Sequence, residues 1–112
     1  MDDQSELWLN DIRQIVSEHA EAKAERIYLE HFRKSKKALL MRLGESEGIK
    51  TGTGQEAFAY SHPEYLELLE GLKEAVKVEE YQKWRLRQRE WKFEQWRTEQ
   101  ANQRAERQRY GA

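Results

Sequence analysis

The chain has 112 residues, of which 38% are hydrophobic and 37% charged, with one proline and no cysteine. So short and polar a chain makes a single domain with a modest core, and its wealth of Glu, Lys, Arg, Gln, Leu and Ala favours long helices over sheets. The missing cysteine excludes disulfides and thiolate metal sites, and the acidic MDDQSELW start lacks the apolar core of a signal peptide.

No stretch reaches the apolar length that spans a bilayer, so a cytoplasmic protein with no membrane partner is expected. The net charge of −1 hides a gradient. Residues 1–31 carry eight acids and three bases, and residues 82–112 carry four acids and nine bases. An acidic head and a basic tail neutralise each other in an antiparallel fold, or each faces an outside partner.

The first predicted helix runs from about residue 5 to 43. Ser5 suits its N-cap, with Asp2, Asp3 and Glu6 near the positive end of the dipole. Trp8, Ile15, Ala22, Leu29, Lys36 and Leu43 recur every seven residues, flanked by Ile12, Val16, His19, Phe32, Leu39 and Leu40. That is an apolar stripe of helical period, interrupted by charge. A Gly-rich loop over 44–54 and a short turn over 55–60 follow. Ser61, Pro63 and Glu64 have the spacing of a capping box with proline in the first turn. They start a second long helix over about 63–109, with Tyr65, Leu68, Leu69, Leu72 and Val76 on one side. The expected fold is all-α. It is a long antiparallel hairpin, coiled-coil-like, with core or oligomer-face residues Trp8, Ile15, Leu29, Tyr65, Leu69, Leu72 and Val76. Two helices this long expose too much apolar surface for one hairpin, so assembly of copies into a helical bundle is expected.

Catalytic, cofactor and metal motifs do not emerge. GESEGIKT at residues 44–51 has Ile49 where a phosphate-binding loop needs glycine, and a helix stands where that loop needs a strand. His19, His31 and His62 form no ligand set. Glu64, Glu67, Glu70 and Glu74 read as a solvated helix face. The expectation is a protein with no enzymatic activity, no cofactor, no metal and no small-molecule substrate.

The segment KWRLRQREWKFEQWR, residues 83–97, interleaves cations with aromatics. Cations contact phosphates, and aromatic rings stack on unpaired bases. The candidate binding residues for nucleic acid or another partner are Trp84, Arg85, Arg87, Arg89, Trp91, Lys92, Trp96 and Arg97. The competing assignment makes the tryptophans core and the cations a paired or solvated face; tryptophan is costly in water, so packing is favoured for most of the rings. The tail from Gln100 to Tyr110 is polar all round.

The runs AKAERIYLEHFRKSKKALLM, SHPEYLELLEGLKEAV and WRTEQANQRAERQRYG resemble small helical proteins of tailed phages and prophages, over roughly residues 22–111. Such proteins sit near replication and recombination genes. The resemblance implies an accessory role in DNA processing in a host cytoplasm, with single-stranded DNA or a DNA-processing protein as partner. It supplies no site residues. The alternative is a protein–protein adaptor, or an inhibitor of a host system, that touches no nucleic acid.

Overall fold

The structure, a computed structural model, describes residues 3–111. Three helices follow one another, α1 over Asp3–Ser46, α2 over Gly52–Ser61 and α3 over Pro63–Arg109. Among the described residues there is no strand. The chain divides into two compact units, Met1–His19 with Tyr81–Ala112, and Ala20–Glu80. In each unit a stretch of α1 lies antiparallel to a stretch of α3. Asp11 and Glu18 meet Arg89 and Arg85 in the first unit, and Arg26 and Lys36 meet Glu79 and Glu64 in the second. The all-α fold and the coiled-coil-like antiparallel pairing expected from the sequence are observed within each unit.

The inward rows explain why these helices pair. On α1 the buried or half-buried positions include Ser5, Trp8, Ile12, Ile15 and His19 in the first unit. In the second they include Ala22, Arg26, Leu29, Arg33, Lys36 and Leu40. Steps of three and four alternate along this row. On α3 the same alternation selects Tyr65, Leu68, Leu72, Ala75 and Glu79, then Gln82, Leu86, Arg89, Phe93, Trp96 and Gln100. Such a repeat of 3.5 residues keeps one seam turned toward a partner helix. Several seam positions are charged, and this is why the row does not stand out by hydrophobicity.

Expected face residues divide accordingly. Ile15 is fully buried, Tyr65 is buried, and Trp8, Leu29, Leu69 and Leu72 are half-buried. Val76 is 41% exposed, because the inward row passes through Ala75 instead. Leu43, expected in the heptad row, and Val16 and Leu39, expected beside it, are exposed as well. The largest fully buried side chain is Ile15, and the core of the second unit gathers Leu40, Ala59 and Tyr65 with Met41 and Leu69 against them.

The helix ends correct the sequence reading in three places. First, α1 begins at Asp3, so Ser5 is not its N-cap; it lies inside the first turn and is buried. Asp2 lies outside the described residues. Second, the stop is Gly48 and not Gly44. Gly48 takes φ +103°, Ile49 N–H donates to the Gly44 carbonyl at 3.0 Å, and Gly48 N–H donates to the Glu45 carbonyl at 3.1 Å. These are the two bonds of a Schellman ending, which needs a residue free to take positive φ. Gly44 stays helical because Phe58 of α2 packs on it: a Cβ there would stand 2.9 Å from Phe58 Cδ1.

Third, α2 takes residues 52–54 from the end of the predicted loop and all of the short turn. Thr51 caps it, its side chain accepting from Gly54 N–H at 3.0 Å. Ser61 belongs to α2, and its hydroxyl donates to the Ala57 carbonyl at 2.7 Å. The cap of α3 is therefore His62, whose Nδ1 accepts from Glu64 N–H at 3.1 Å, with Pro63 at the first helical position as expected.

Candidate macromolecule-binding surface on α3

All eight candidate binding residues stand on α3 in the first unit, but the fold does not bring them to one surface. Arg85 and Arg89 turn toward α1. The Arg85 guanidinium donates to Glu18 Oε2, and Arg89 Nε lies 2.8 Å from Asp11 Oδ2. This second contact is ionic without an aligned hydrogen bond. Here the acidic head and basic tail neutralise each other, as the charge gradient allowed. Glu18 is held below the ordinary carboxylate range, first by the amide hydrogen bond from Gln14 and then by Arg85, with partial burial opposing both.

Trp96 also turns inward. It packs with Trp8 and Phe93 in a cluster whose ring centroids lie 6.1 to 6.3 Å apart. Spacing decides this: Arg89, Phe93 and Trp96 are successive members of the inward row. Trp84 and Trp91 fall outside it and are 48% and 60% exposed. The expectation that tryptophan packs thus holds for Trp8 and Trp96 and fails for Trp84 and Trp91. Arg87 lies over the Trp84 ring at 5.3 Å from its centroid and Lys83 at 6.0 Å, which is cation–π range. Lys92 is exposed beside a hollow that Leu7, Trp8, Asp11 and Arg89 also line. Arg97 lies over Phe93 at 5.9 Å and touches Glu94 one turn back at 3.2 Å.

A second grouping was not singled out by the sequence reading. Arg97, Gln100, Arg104 and Arg107 follow steps of three, four and three, so they share one face of α3. That face lines a hollow of about 750 Å³ together with Leu9, Phe93 and Trp96. From Ala101 to Gly111 every residue is exposed. The signal was present in the spacing of the arginines, but a tail whose apolar residues are Ala101, Ala105 and Tyr110 offers no stripe to draw attention to it.

Among the described residues no three or more His, Asp or Glu side chains gather to hold a metal ion. No described helix is long and apolar enough to cross a membrane. The chain matches no family model, no curated protein and no solved structure.

Proposed function

We propose that this protein is a non-enzymatic accessory module that binds nucleic acid, single strands foremost, through the last turns of α3. The observation that supports this most is the Arg97, Arg104 and Arg107 row beside the rings of Phe93 and Trp96. Guanidinium groups on one helix face can follow a phosphate backbone. The rings of Phe93 and Trp96, which line the same open hollow, can give bases an apolar surface to rest on. The resemblance to phage proteins found near recombination and replication genes accords with this role.

Anisotropy of a labelled single-stranded oligonucleotide, titrated at two salt concentrations, tests the reading. Arg104→Ala with Arg107→Ala should weaken binding to all sequences alike and flatten the log–log salt slope by about 0.7 for each phosphate that is no longer neutralised. No binding at low salt would overturn it.

A second reading has its own support. With Arg85 and Arg89 paired to acids, the surface around Trp84 and Trp91 has two fewer free cations and keeps the exposed rings of Tyr81, Trp84 and Trp91. Such a surface suits protein rather than polyanion, as in an adaptor.

A further inference from the structure

We infer that α3 pairs antiparallel with the α3 of a second copy through the outer face that carries Trp84 and Trp91. Tyr81, Trp84, Gln88 and Trp91 follow steps of three, four and three, the same alternation as the inward row. They lie on a different side of the helix, since Trp91 stands about 200° round from Arg89 at roughly 100° per residue. Tyr81, Trp84 and Trp91 are 63%, 48% and 60% exposed, an apolar row left to solvent on a helix whose other side is already packed on α1. A helix that is apolar on two sides meets two neighbours. Among the described residues of this unit the packed elements are the α1 and α3 segments, and α1 occupies the inward side.

Charge identifies the second neighbour. Beside the aromatic row runs another, Lys83, Arg87, Glu90 and Glu94, at steps of four, three and four. Its order is two cations and then two acids. A parallel copy does not set this row against itself, because it places one flank of the seam opposite the other, where Arg85 and Lys92 stand. An antiparallel copy reads it backwards, so Lys83 faces Glu94 and Arg87 faces Glu90 across a two-fold axis, each pair occurring twice. The same reversal brings Trp84 of one copy toward Trp91 of the other. The cations are already at the rim, since Lys83 and Arg87 lie over the Trp84 ring. The contact of Glu94 with Arg97 is exposed on both sides and gives little to hold it back. A two-fold dimer must be self-complementary in this way, with each residue meeting its counterpart in reverse order.

This pairing and the nucleic-acid reading use different residues, so each can fail alone. Sedimentation equilibrium over a range of concentrations tests it, with circular dichroism to verify helicity. The wild-type chain should be a dimer. Trp84→Glu with Trp91→Glu should be a helical monomer, since both rings are exposed and their loss leaves the fold intact. Lys83→Glu with Arg87→Glu should weaken the dimer roughly tenfold or more, because all four charge pairs turn repulsive. Adding Glu90→Lys and Glu94→Lys should restore it, and this fourfold variant should not exchange subunits with the wild type. A monomeric wild type, a dimer that survives both Trp→Glu changes, or a dimer indifferent to the charge reversals would each overturn the proposal. So would a monomeric wild type whose binding to protein or nucleic acid disappears with Trp84→Glu and Trp91→Glu, which would give this face to that partner.

Discussion

Arg26 of α1 and Glu79 of α3, 53 positions apart in the chain, meet as a two-point ion pair on the inward row of the second unit. Arg26 Nη2 lies 3.2 Å from Glu79 Oε1, and Nε contacts the other carboxylate oxygen. Arg26 also holds Glu30 one turn on, at 3.0 Å. The hydrogen bond to Glu79, and then that to Glu30, raise the arginine's pKa further above its ordinary value. Both members of the pair are mostly covered, at 24% and 17% side-chain exposure. An ion pair in a seam costs desolvation that an apolar pair does not, yet it is satisfied only in one register.

Replacing only Glu79 by Leu should therefore lower the melting temperature, because Arg26 loses its cross-helix carboxylate. Replacing Arg26 and Glu79 together by Leu should raise it above the single variant, to the wild-type value or higher. Thermal melts of the two single variants and the double complete the cycle. A double variant less stable than both singles would refute this account of the seam.

Two helical glycines should respond to alanine with opposite sign. At Gly71 nothing lies within 4 Å of an added Cβ, so Gly71→Ala should stabilise by about 0.5–1 kcal/mol through reduced chain entropy. At Gly44 the new methyl meets the Phe58 ring and not the end of a flexible chain. Overpacking of that kind costs about 1–3 kcal/mol and exceeds the helical gain of about 1 kcal/mol. Denaturant unfolding of both variants decides the point.

The tryptophans separate by row. Trp96→Ala should destabilise by about 3 kcal/mol, because its ring packs with Trp8 and Phe93. Trp91→Ala should change the stability of the subunit by no more than about 0.5 kcal/mol, measured below any dimerisation midpoint. Equal effects would mean that the inward row is placed wrongly.

Stability should fall away at both ends of the pH range. Glu18 has its pKa lowered by Gln14 and Arg85, so its contribution is complete above the ordinary carboxylate value of 4.5 and is lost as pH falls through the depressed one. Lys37 has its pKa raised, by Tyr60 first and by Glu56 second. Its contribution is complete below the ordinary value of 10.5 and disappears as pH rises through the raised one. Glu18→Gln should flatten only the acid limb and Lys37→Met only the alkaline limb, as melting temperature against pH will record.

Much of this molecule was readable from local chemistry. Composition favoured helices over sheets, Pro63 marked the start of α3 to the residue, and the charge gradient offered, as one of two alternatives, the meeting of acidic head and basic tail that Asp11 and Glu18 make with Arg89 and Arg85. These features depend on neighbours within a turn or two, or on net charge, and both are written in the chain. What required the tertiary structure was the choice of face. The seam carries His19, Arg26, Glu79 and Arg89 while Val16, Val76, Trp84 and Trp91 lie outside it, so hydrophobicity alone points to the wrong side in places. Gly44 reads as a helix stop until Phe58 is packed on it, and Ser61 reads as a cap until His62 takes that place. In each case a residue distant in sequence, or the phase of a second helix, selects among conformations that are locally almost equal in energy, and only packing supplies that difference.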